Sequence, residues 1–155
     1  MRKYLIRYLI FWLPAVLASY LFTSREQTFE IILWFLGFFM LLGWGVNTGM
    51  CAYNYPRNTL SLLLAYFGAN ALLITGLHNA SFGSTAYRIF DHAAGFFTYR
   101  PLEMIYQTLL DFSVFQEMWV VGIVLGFCAV GFLSGLLYRQ IRPNPYRPSF
   151  MADRK

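Results

Sequence analysis

Between Glu117 and Arg139 the chain reads MWVVGIVLGFCAVGFLSGLLY, residues 118 to 138, without one formal charge. About 20 mostly apolar residues in helical form cross a bilayer core of roughly 30 Å, so the stretch predicts a transmembrane helix over about 117–138. Three further stretches upstream lack Asp, Glu, Lys and Arg. One runs from Tyr8 to Ser24, one from Ile31 to Pro56, and one opens at Asn58. The last is closed by the turn-forming Asn79-Ala80-Ser81-Phe82-Gly83-Ser84. These predict spans of about 4–23, 29–51 and 59–78. The expected fold is all-α: an integral membrane protein with four transmembrane helices in one membrane domain covering 1–155.

Composition closes the other routes. With 58% hydrophobic residues and 12% charged, the chain lacks the polar surface that a soluble domain of 155 residues presents to water. Disordered chains are poor in aromatics, and this one has 20%. Two cysteines make no disulfide scaffold. The first span is the least regular, because Pro14 lies inside it and Arg7 must snorkel toward the headgroups. The rival reading of that segment is a cleaved secretory signal, with Met1-Arg2-Lys3 ahead of a short apolar core.

Basic residues orient a membrane protein toward the cytoplasm. With the N-terminus inside, Arg2, Lys3, Arg7, Arg57, Arg139, Arg142, Arg147, Arg154 and Lys155 all face the cytoplasm, and Arg25, Arg88 and Arg100 face out. Both termini are therefore expected in the cytoplasm, with the plasma membrane as the expected location. The net charge of +5 sits at membrane ends, where it attracts anionic lipid. No basic face on a soluble module points to nucleic acid.

The outer loop, 79–116, is long and rich in aromatics. After Pro101, the residues Leu102, Ile105, Leu109 and Phe112 recur at helical spacing, with Glu103, Gln107 and Asp111 opposite. This predicts an amphipathic helix over 101–113, and a second over 85–94 with Tyr87, Phe90 and Ala94 on one face. Interfacial helices favour basic polar faces. The acidic face here suits a lid over the bundle or a docking surface instead. The tail, 139–155, carries Pro143, Pro145 and Pro148, which favour an extended basic segment.

Chemistry is sparse. No nucleophile elbow, phosphate loop or zinc-protease pattern occurs, and no charge lies deep in a span, where pumps hold their carboxylates. His78 and His92 lack metal-type spacing, and Cys51 and Cys128 differ too much in depth to bridge. No catalytic residue, cofactor or metal ligand is assigned. Packing signals are clearer. Small residues four apart let helices approach closely, and they occur at Gly45/Gly49, Ala65/Ala69, Gly122/Gly126 and Gly131/Gly135. Asn47, Tyr66 and Asn70 are the expected polar contacts between helices. Beyond the lipid bilayer, the expected partners are other membrane chains or further copies of this one. A chain rich in packing signals and poor in chemistry reads first as an accessory or assembly subunit of a larger membrane complex. A self-associating channel or carrier for a neutral or lipidic substrate is the second reading, and a membrane enzyme or haem/quinone anchor the third.

Overall fold

The computed structural model describes residues 2–21, 27–102, 106 and 116–142. Among them every regular element is helical. The elements are α1 (Arg2–Leu21), α2 (Gln27–Asn54), α3 (Pro56–Asn79), α4 (Thr85–Ala94), a π turn (Gly95–Tyr99), a 3-10 turn (Arg100–Leu102) and α5 (Gln116–Ile141). Four of them, α1, α2, α3 and α5, are long and apolar enough to cross a membrane.

Helix ends follow from local chemistry. Pro56 fixes the start of α3 and forces Tyr55 before it out of helical geometry, at φ −141°. The expected loop between spans two and three thus shrinks to a single non-helical residue. The Thr59 amide bonds the Tyr55 carbonyl at 2.9 Å, so α3 begins almost where α2 stops. Pro14 leaves α1 continuous. Gly83, at φ 80°, takes the left-handed turn that a side chain would strain. Ser84 then caps α4 by accepting from the Tyr87 amide at 3.0 Å. The expected helix over 85–94 is present, and Ala94 on its inner face is fully buried.

The largest helix–helix interface joins α2 and α5, with α1 and α3 packed beside them. The core holds Trp12, Val16, Met40, Leu41, Trp44, Val120, Val124 and Cys128. One end of the bundle gathers the start of α1, the α2–α3 turn and the end of α5. There Asn54 donates to the Tyr4 hydroxyl at 2.8 Å and Tyr53 to the Arg142 carbonyl at 3.0 Å. This basic end carries Arg2, Lys3, Arg57, Arg139 and Arg142. The far end holds Tyr20, Arg100, His78 and Glu117, with the Arg100 guanidinium 5.3 Å above the Tyr20 ring.

The segment after α4 runs into the bundle rather than across its end. Phe96 meets Trp12 edge-on at 4.7 Å between ring centroids, and Phe97 stacks on it at 6.1 Å. Trp12 lies nine residues before the end of α1, about 13 Å along the axis. Leu102 is buried to 1% exposure against α1 and α2, 3.3 Å from where a side chain on Gly37 would start. The predicted helix over 101–113 opens in this structure on the 3-10 turn Arg100–Leu102, and Tyr106 has helical backbone. Residues 103–105 and 107–113 of that prediction, and the proline-rich tail from 143, lie outside the described residues.

Candidate functional site

Two of the four small-residue pairs close on each other. The carbonyl oxygen of Gly45 occupies the place where a Gly131 side chain would begin, and that of Gly49 does the same to Gly135. In return, a side chain on Gly49 would start 2.9 Å from the Gly131 oxygen and one on Gly45 3.1 Å from the Phe127 oxygen. Backbone meets backbone along this seam, which only glycine permits. The other two pairs face outward. Gly122 and Gly126 have nothing within 4 Å of where a side chain would stand, and Ala65 and Ala69 are exposed.

Two further glycines, which spacing alone did not single out, make room for rings rather than backbone. A side chain on Gly43 would strike the Phe11 ring, and one on Gly76 would start 2.5 Å from Phe90 of α4. Gly43 has no small residue four positions away, and the one partner of Gly76 at that spacing, Ala80, lies past the end of α3; Phe11 and Phe90 are the large residues that such notches receive.

The polar side chains tie α1 and the inserted segment to the bundle. Asn47 donates to the Tyr4 carbonyl of α1 at 3.0 Å, and its Oδ1 is buried without a partner among the described residues. Thr48 gives its one hydroxyl hydrogen to the Trp44 carbonyl at 2.7 Å. Tyr8 is therefore the donor in its 2.6 Å bond to Thr48. Tyr66 donates to the Phe97 carbonyl at 3.1 Å. That bond satisfies a backbone acceptor of the π turn, on a side of the segment where Phe97 stays half exposed. Asn70 donates to the Tyr66 carbonyl one turn back on its own helix at 2.9 Å.

At the far end, Glu117 in the first turn of α5 is only 7% exposed. The Tyr106 hydroxyl reaches its Oε1 at 3.4 Å, and His78 Nε2 lies 3.8 Å from its Oε2. A carboxylate at a helix start also gains from the backbone dipole. His78 closes one apolar stretch and Glu117 opens the next, so their charge-bracketing positions held the signal for this pairing. Among the described residues no three His, Cys, Asp or Glu converge on a metal-sized site. Cys51 and Cys128 are both buried and are not joined in a disulfide.

Two hollows flank the seam. A groove of about 910 Å³ runs between α2 and α5 toward the basic end, past Leu42, Val46, Met50, Val130 and Tyr138. A cleft of about 430 Å³ lies between α1 and α3 beside Phe97, walled by Tyr8, Trp12, Trp44, Tyr66 and Cys128. The polar atoms of that wall are largely engaged already, since Trp44 Nε1 donates to the Tyr8 carbonyl at 3.0 Å and both tyrosines donate as above. Such a wall offers shape and aromatic contact, with few free donors.

The fold thus defines a four-helix bundle whose long helices are apolar enough to cross a membrane, with a helical segment folded in between them. No known family matches the sequence, and neither a curated protein nor a solved structure matches the chain.

Proposed function

We propose that this chain is a non-enzymatic integral membrane protein of the plasma membrane, an accessory or assembly subunit of a larger membrane complex. In this reading α1, α2, α3 and α5 cross the bilayer with both termini in the cytoplasm. Large apolar side chains exposed on all four helices support insertion, among them Leu9, Phe35, Leu72 and Val130. The observation that carries the accessory reading is the pair of opposed glycine faces on α5. One face is filled by α2. The other, Gly122/Gly126, has nothing within 4 Å of where its side chains would start, Gly126 standing at the edge of the α2–α5 groove and Gly122 beyond it.

The test compares Gly126→Leu with Gly135→Leu in mild detergent. Gly135→Leu is expected to lower the melting temperature of the isolated chain, because its side chain must displace the α2 backbone. Gly126→Leu is expected to leave melting unchanged while the complex that co-purifies with the wild type shrinks or dissociates. If Gly126→Leu leaves the size of every assembly untouched, the accessory reading loses its support.

The aromatic cleft beside Phe97 favours one second reading, a carrier of a lipidic substrate, whose apolar chain would fill it. A photoactivatable fatty acid should crosslink preferentially to Leu5, Leu9 and Leu62, which line that cleft. Crosslinks spread evenly over the other exposed apolar residues, such as Phe35, Leu72 and Val130, reject that reading.

A further inference from the structure

Arg7 sits on α1 about 7.5 Å along the axis from Arg2, one turn deeper than the rest of the N-terminal basic residues. Its contacts are soft. Nη1 lies 3.6 Å from the Met50 sulfur, a weak acceptor, and the guanidinium carbon stands 5.6 Å from the centre of the Tyr4 ring. Among the described residues no carboxylate lies within ion-pair distance of it. Met50 and Tyr4 both line the 910 Å³ groove, so the charge stands at that groove's rim. Below the rim the groove is apolar, its floor lowered by the side-chain-free seam and its flanks raised by Leu42, Val46 and Val130. At the rim's level Tyr53 and Tyr138 face each other at 5.4 Å, and Tyr138 is half exposed. Aromatic rings of this kind mark headgroup depth.

We propose that the groove binds an anionic phospholipid of the leaflet at the basic end. An acyl chain lies over the glycine seam, and the phosphate is paired with Arg7. Charge complementarity selects this occupant. A guanidinium below the outermost basic residues costs free energy in hydrocarbon unless an anion meets it, and a phosphate accepts its planar fork in two bonds. A zwitterionic lipid would bring its own cation to the same place. A helix of another chain would cover the apolar groove and leave Arg7 without its anion. The inference rests on the proposed insertion in a bilayer, and it holds for either sidedness.

The experiment reconstitutes the full chain into nanodiscs of equal phosphatidylglycerol and phosphatidylcholine and releases it into native mass spectrometry. The wild type should retain phosphatidylglycerol about five-fold over phosphatidylcholine, the ratio equivalent to about 1 kcal/mol for one basic residue near anionic lipid. Arg7→Gln should abolish the preference. Val46→Trp, which fills the groove from an exposed flank, should remove the retained lipid. Arg100→Gln deletes the same charge at the far end and should retain the preference, provided that each variant elutes and melts like the wild type. Equal retention of both lipids, or a preference that survives Arg7→Gln, overturns the proposal. So does release of a dimer whose groove carries no lipid. A chain that will not enter the discs overturns the membrane reading itself, whereas entry without selectivity overturns only the lipid site.

Discussion

Gly131 lacks a side chain, and the Gly45 carbonyl fills the space where one would start. A single methyl there must push two helices apart, and forcing such a methyl into a packed site typically costs about 1–3 kcal/mol. Gly122, nine residues earlier, lies about half a turn around the same helix and meets nothing within 4 Å. Alanine there keeps the helix and removes glycine's excess backbone entropy, a gain of up to about 1 kcal/mol. Thermal melts in detergent should therefore move in opposite directions: Gly131→Ala down, Gly122→Ala level or slightly up. A drop of equal size in both would mean that the Gly122 face is also closed. The four-residue spacing made both pairs visible in the sequence. It could not say which pair meets α2, because that choice depends on the rotation of α5 about its axis, which its nearly uniform apolar surface leaves open.

Between the residue and the bundle stands the segment from Thr85 to Leu102. Its first half follows from local rules: a Gly83 turn, a Ser84 cap and an inward face ending at Ala94. Its second half answers to partners far along the chain. Phe96 and Phe97 find Trp12, the Phe97 carbonyl finds the Tyr66 hydroxyl, and Leu102 finds the α2 backbone near Gly37. Nothing in the local periodicity encodes those distances. Helix existence and approximate limits were readable because charges and prolines bracket each apolar run. The insertion was not readable, since it depends on where α1 and α3 leave a gap. Tyr66→Phe removes one hydrogen bond from the π turn and should cost about 1 kcal/mol, in line with polar contacts between membrane helices. Hydrogen exchange tests the placement more directly. Amides of Phe96, Phe97 and Leu102 should exchange far more slowly than those of the turn Ala80–Gly83, and Tyr66→Phe should speed exchange chiefly in 95–102. Fast exchange of 95–102 in the wild type would instead place the segment outside the bundle.

For the whole molecule the proposed insertion turns on which end of the bundle would meet the cytoplasm. Among the described residues the basic end carries Arg2, Lys3, Arg7, Arg57, Arg139 and Arg142, whereas Arg88 and Arg100 belong to the far-end segment. The positive-inside rule turns that asymmetry into an orientation. The chain's four long helices make it testable with few probes. In a background where Cys51 and Cys128 are replaced by alanine, single cysteines at Lys3, Ser84 and Gln140 report the start of α1, the cap of α4 and the end of α5. Ser84→Cys should label with an impermeant maleimide on intact cells, and the other two only after permeabilisation. Labelling of Lys3 and Gln140 from outside, with Ser84 protected, would invert the orientation but keep four crossings. Labelling of Lys3→Cys and Ser84→Cys together on intact cells, with Gln140→Cys protected, would mean that α1 does not cross. Three helices would then span the membrane, and Arg7 would have no leaflet in which to meet a phosphate. The same three probes therefore test the orientation, the irregular first span and the depth on which the lipid site depends.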